Sequence, residues 1–236
     1  MAQPPFPTAQ YASSSFVESS GAILFTPLSI TNINCPSPQK VCLLHYLRKN
    51  EWMLAKGRRN IGESRAAAAI REVREETGYP CRLLPVRMST RAPAAEDRAD
   101  VKDEARWVEG LCEPFMVSVR ELGEGKGVKF IWWFVAVLIE DGAVGEMKGE
   151  EAFRAEFVER EEAVERLTFE TDKEVLRGAI ALLEVRRNFV SFCDIRMGVQ
   201  CSRLTHLHRA KLTDFVALLN RLQSRRCVSL PLLYNF

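Results

Sequence analysis

Residues 57–79 read GRRNIGESRAAAAIREVREETGY, and the reading of this stretch decides the rest of the chain. Four consecutive alanines, with no Gly or Pro between Glu63 and Thr77, predict a helix, with Ser64 as its N-cap and Gly78 as its stop. Ala66, Ala69, Ile70 and Val73 recur at helical spacing and form an apolar stripe for packing on a sheet. Glu72, Glu75 and Glu76 lie three and four residues apart, so they share a different face, with Arg71 one turn from Glu75. Three carboxylates there repel one another. They also crowd the helix end that carries partial negative charge, at a cost of about 0.3–1 kcal/mol each. A solvated charged face is the plain reading. The other is a face that holds a hard, oxygen-seeking divalent cation such as Mg²⁺, because no Cys or His adjoins the carboxylates.

The full spacing favours the second reading. Gly57, Glu63, Arg71, Glu72, Val73, Glu75, Glu76 and Gly78 fall in the pattern G-x5-E-x7-R-E-V-x-E-E-x-G, which resembles the Nudix box. Tyr79 stands where that box usually has an aliphatic residue, a difference at a packing position. The resemblance implies an α/β fold, an α/β/α sandwich around a mixed sheet, over residues 19–188. It also implies Mg²⁺- or Mn²⁺-dependent hydrolysis of a diphosphate linkage in a nucleoside diphosphate-X type of substrate. Glu72, Glu75, Glu76 and the carbonyl of Gly57 would hold the metal, Arg71 would orient Glu75, and Glu63 would support the loop or a metal-bound water. The general base would be Glu76 or an acid outside the box, such as Glu150 or Glu151. A Nudix-fold protein that binds a nucleotide without turnover is the alternative.

The entry to the stretch bears on substrate. Trp52 to Gly57, WMLAKG, is similar to the W-x-x-P-K-G entry of Nudix enzymes that act on dinucleoside polyphosphates or diphosphoinositol polyphosphates, with Ala55 in place of the proline. Lys56, Arg58 and Arg59 would then bind the phosphates of a small phosphorylated substrate. Solvated loop cations are the competing reading.

The bulk of the 236 residues suits one globular domain with extensions. A net charge of +2 is too small to mark a nucleic-acid or membrane binder, and nucleic acid is not an expected partner. Seven cysteines without a C-x-x-C pair predict reduced thiols in a cytoplasmic setting, with the nucleus as the alternative. The longest apolar run, 130–139, is too short to span a bilayer as a helix, so a soluble protein is expected, and homodimerisation stays open. Residues 1–18, rich in Pro, Ser, Ala and Gln and without a signal-peptide pattern, read as a disordered tail.

Strands are expected at 20–25, 41–48, 51–56, 82–88, 113–121, 130–139 and 154–159, and a last amphipathic helix at 171–186. FIWWFVAVLI at 130–139 is apolar on both faces and predicts the doubly covered central strand, with Trp132 and Trp133 on opposite sides and core packing the expected role of each. His45 is expected as a core histidine with a satisfied hydrogen bond. The polar segment 89–107 reads as an exposed loop that orders with ligand, and 89–112 as a candidate lid. Residues 189–236 carry a net charge of +5 and read as a basic extension, helical or partly disordered, with partner or RNA docking as a third functional reading. Cys193, Cys201, His206 and His208 there match no familiar zinc spacing.

Overall fold

The structure, a computed structural model, describes residues 6–27, 40–95, 97, 100–139 and 150–197, with side-chain surroundings as far as 184. Ten strands and three helices follow in the order β1 (Phe16–Phe25), β2 (Lys40–Tyr46), β3 (Glu51–Met53), β4 (Lys56–Arg58), α1 (Arg65–Thr77), β5 (Cys81–Leu83), β6 (Val86–Thr90), β7 (Arg106–Leu111), β8 (Met116–Glu121), β9 (Val128–Leu138), β10 (Phe153–Glu159), α2 (Arg160–Arg166) and α3 (Glu170–Met197). An eight-stranded sheet runs β10-β2-β1-β9-β5, with β3 added to β2, β4 to β1 and β8 to β9. It is mixed: β1 and β9 run parallel over ten residue pairs and the other pairings are antiparallel.

Period-two alternation divides the sheet into two apolar faces. Ile23, Phe25, Ile131, Trp133, Val135 and Val137 pack against Ala163 of α2, Leu167 just after it, and Val175, Leu176, Ala179 and Leu183 of α3. Ala22, Leu24, Phe134 and Ala136 pack against Ala69 and Val73 of α1, with Ala66 and Ile70 beside them. The chain is therefore the expected sandwich, helices on both sides of a mixed sheet. β9 is central, and the two tryptophans part as alternation requires. Trp133 is 1% exposed in the core and donates to Ser118 Oγ at 3.0 Å. Trp132, on the α1 face, donates to Glu18 Oε1 at 3.0 Å.

Several local expectations change. β1 begins at Phe16, three residues before the expected start of the domain, because its early residues pair with Val128–Phe130 of β9 and Glu18 anchors three side chains. The single strand expected at 51–56 is two, since β3 pairs with β2 and β4 with β1. Likewise 82–88 divides between β5 in the main sheet and β6 in a two-stranded sheet with β7. β7 lies inside the segment expected as loop, and the residues before it are closed by Arg91–Asp103 and Arg106–Asp97 pairs. His45 is half-buried at the rim rather than in the core; it stacks on Trp52 with centroids 4.5 Å apart and its Nε2 bonds Asn50 Oδ1 at 2.7 Å. The last helix extends to Met197. Cys42 and Cys81 are buried free thiols, Cys112 an exposed one. No helix among the described residues is long and apolar enough to cross a membrane. Most of the basic extension 189–236, including Cys201, His206 and His208, lies outside the described residues.

Candidate active site

α1 is delivered to the site by its caps. Ser64 Oγ accepts from the Ala67 N–H at 3.1 Å, and Gly78, in the left-handed region at φ 77°, donates its N–H to the Arg74 carbonyl. Between them the alanine-rich face settles on β1 and β4, and the charged end of the helix comes up against the backbone of β4.

There Arg71 is the hub. Its Nε and Nη2 donate to the two oxygens of Glu63, both at 2.9 Å, and its Nη1 donates to Glu72 Oε1 and Glu75 Oε2, both at 2.8 Å. The second Nη2 hydrogen goes to the Arg58 carbonyl at 3.0 Å. A guanidinium has five N–H groups, and all five have acceptors. The Glu63 carboxylate, held by Arg71 and by the Asn60 N–H at 2.9 Å, is pulled below the usual carboxylate range. Arg71 itself is held more firmly protonated, first by Glu63.

Glu72 is buried, and burial pushes its carboxyl up despite the Arg71 contact. Its carboxylate lies against Gly57, where a Cβ would overlap all three of its terminal atoms. Glycine at 57 is thus a steric requirement of the glutamate beside it. Glu76 is placed differently. Its Oε2 accepts from the Lys56 N–H at 2.8 Å, and burial raises its pKa to about 7, with Lys56 pulling down and Glu72 and Glu150 pushing up. Glu150 reaches the helix end through its own N–H, which donates to the Glu75 carbonyl at 3.0 Å. Glu75 is the most open of the three glutamates, its side chain 54% exposed.

Lys56, Gly57, Arg58, Arg59, Glu63, Arg71, Glu72, Glu75 and Glu76 all meet along β4, the loop after it and α1. The cations of the group part ways. Arg59 is braced by Glu18, with Nε and Nη2 both 3.0 Å from Oε2, and its Nη1 donates to the Glu63 carbonyl at 2.8 Å. Arg65 donates to Glu18 Oε1 at 2.9 and 2.6 Å and lies 3.9 Å above the Trp132 ring. Burial opposes ionisation of Glu18, but Arg65 and Trp132 outweigh it and hold the carboxyl low. Glu18 has no signal in the sequence: it sits in a stretch with tail-like composition and acquires its partners from residues 41 to 114 positions away.

The donor set beside Gly57 is entirely oxygen, which suits a hard divalent cation. Burial pushes the carboxyls of Glu72 and Glu76 up, and an added positive charge would favour their ionised forms. In this arrangement Arg71 and the Lys56 N–H occupy the carboxylates separately, and no three acidic, His or Cys side chains among the described residues converge as a formed metal cluster. A shallow cleft of about 500 Å³ opens at the start of α1, lined by Glu18, Arg59, Glu63, Arg65, Cys112 and Phe134.

Comparison with solved structures gives matches at low identity. C. elegans Ap4A hydrolase is 18% identical, with 71% of this chain and 98% of that one covered and a TM-score of 0.45. A NUDIX-family hydrolase from Clostridium perfringens is 14% identical, with 74% and 99% covered and a TM-score of 0.44. The E. coli ORF135 protein is 18% identical, with 75% and 98% covered and a TM-score of 0.44. The NUDIX domain family model matches residues 29–178, a span that includes β4, α1 and every charged residue of the Arg71 hub. Since that match takes in well over half of the 236 residues, this chain belongs to the Nudix family and is a Nudix-type pyrophosphohydrolase.

Proposed function

We propose that the chain hydrolyses a diphosphate linkage in a nucleoside diphosphate-X type of substrate with Mg²⁺ or Mn²⁺, and that dinucleoside polyphosphates and diphosphoinositol polyphosphates are its candidate substrate classes. The observation that carries this reading is the seat of the glutamates: Arg71 pairs with Glu63, Glu72 and Glu75, while Glu76, desolvated beside them with its pKa raised to about 7, accepts from the Lys56 N–H. Glu72, Glu75, Glu76 and the Gly57 carbonyl would hold the ion. When bound, it would offset negative charge on the phosphate oxygens and make a water more acidic.

The protein's own groups supply the rest. Lys56 N–H occupies Glu76 Oε2, so Oε1 is the oxygen left to face the ion or to take a proton. In the metal-free protein this carboxyl keeps its proton to about pH 7; a bound ion would favour its ionised form, and that carboxylate could then accept a proton from the attacking water. Glu150, brought to the same helix end, is the second candidate for that role. Arg71 fixes Glu75 and Glu63, so the carboxylates keep their places when charge around them changes. Lys56 and Arg58 would bind phosphate oxygens. Arg59 would serve the substrate indirectly, by tying the loop to Glu18.

The test is a panel of nucleotide, dinucleotide and diphosphoinositol substrates with each ion, run on wild type and on Glu76→Gln. Metal-dependent release of a phosphate-containing product that the variant loses is the expected result. Tight binding without turnover across the panel would identify a ligand-holding protein instead.

A further inference from the structure

The sheet face opposite α1 carries charge that the glutamate cluster does not use. Strand register places it: Gly21 pairs with Lys56 and Trp133, Ser19 with Arg58 and Ile131, Val17 with Lys129, and Lys129 in turn with Arg120. Paired residues project to the same face, and alternate residues along a strand return to it. Lys56, Arg58, Ser19, Lys129 and Arg120 therefore share the face of Ile131 and Trp133. Gly21 fits this placement, since a Cβ there would collide with Lys56 Cβ and the Trp133 ring.

None of these four cations forms a salt bridge among the described residues. Lys129 is half-buried, and burial followed by the charges of Lys56, Arg120 and Arg58 disfavours its protonated form. Like charges directly across a strand pair are destabilising. Asp172, buried at the start of α3, is within reach of Lys56 and Arg120, and Glu76 is within reach of Lys56. Amid these charges Ser19 is 1% exposed and its Oγ has no hydrogen-bond partner. An unpartnered buried hydroxyl costs about 1–3 kcal/mol. The hydroxyl is sealed off, but Arg58 and Arg120 are exposed, and an anion bound to the cations would relieve their repulsion.

We infer that Lys129 and Arg120, with Lys56 and Arg58, form a second phosphate-binding subsite across β4 from the glutamate cluster, and that the ligand carries phosphate beyond the diphosphate to be cleaved. β4 is the divider. Its Gly57 abuts Glu72 and its Lys56 N–H holds Glu76, while the side chains of Lys56 and Arg58 project to the cationic face. A run of phosphates leaving the glutamates crosses β4 onto these side chains. Dinucleoside polyphosphates and highly phosphorylated inositols supply such a run; a nucleoside diphosphate sugar does not. The identity of the cleaved bond rests on the hydrolase reading above, but the subsite itself does not.

Calorimetric titration of the full chain with inorganic tripolyphosphate in EDTA tests the subsite without turnover. Wild type should bind, and Arg120→Gln and Lys129→Gln should each weaken the Kd about tenfold, the scale of one charge-assisted hydrogen bond. Lys49→Gln, an exposed cation on the turn after β2, should leave it within twofold. Absence of binding by wild type, an unchanged Kd in Arg120→Gln, or an equal loss in Lys49→Gln overturns the inference. Arg120 is exposed on β8, so its variant decides the matter even if the half-buried Lys129 variant fails to fold. Pair-dependent tripolyphosphate binding in a protein that turns over no substrate would sink the hydrolase reading and support the subsite.

Discussion

Two groups of charges a few residues apart on α1 are treated in opposite ways. Around Arg71, five N–H donors meet five acceptors, and Glu63 is held well ionised. One turn on, Glu76 has a single backbone donor and keeps its proton to about pH 7, while the cations nearest it repel one another on the far side of β4. Both groups look alike as sequence, a string of Glu and Arg. The difference comes from the partner each meets. The end of β4 offers Arg71 the Arg58 carbonyl and the loop after it supplies Glu63, whereas the start of β4 offers Glu76 one N–H and a desolvated edge. The satisfied group acts as scaffold, and the unsatisfied one is where an incoming ligand gains most.

The contrast can be broken at either end. Glu76→Gln should have the largest effect, lowering turnover by about 10³-fold in steady-state assays if Glu76 carries the proton. The same variant sharpens the contrast in the apo protein. Glu76 ionises near 4.5 when unperturbed and near 7 in the fold, so between those values the folded state binds the extra proton. Apo stability should therefore fall as pH rises through about 4.5 to 7, by up to about 3 kcal/mol in denaturant titrations with EDTA. Glu76→Gln, which keeps an acceptor for Lys56 N–H, should flatten that slope and be the more stable protein at pH 8. A wild-type profile flat over this window would refute the frustrated-carboxylate account.

Arg71→Met removes the hub and should lower turnover about 10–100-fold through mispositioned carboxylates. It should also cost about 3 kcal/mol in chemical denaturation, because three acids lose their common partner. Gly57→Ala forces Glu72 out of its seat and should destabilise by about 1–3 kcal/mol, read by thermal melting. The smallest effect belongs to Ser64→Ala, which loses the cap bond to the Ala67 N–H but no charged partner, and should cost about 1 kcal/mol with little change in KM.

Much of this was legible beforehand in particular residues. The helix from Arg65 to Thr77, its Ser64 and Gly78 caps and the central place of β9 follow from local propensity and from an apolar run too long and too two-sided to be an edge strand. β7 was illegible, since RWVEGL alternates only weakly and pairs with β6 alone. The segment 51–56 read as one strand, although β3 ends at Met53 and β4 begins at Lys56, because nothing local shows that β2 and β1 each take a piece. Glu18 belongs to the same class of omission, a residue whose partners are remote in sequence.

What the sequence determined alone was the chemistry on offer: which side chains carry charge, which share a face of α1, and where that helix starts and stops. These depend on spacing within one turn or two, and such spacing survives without any long-range contact. Only the tertiary structure decided which charges are neutralised. Burial and strand register set that, and they turn Arg71 into a closed hub, leave Glu76 short of partners, and gather Lys56, Arg58, Lys129 and Arg120 from three strands onto one face.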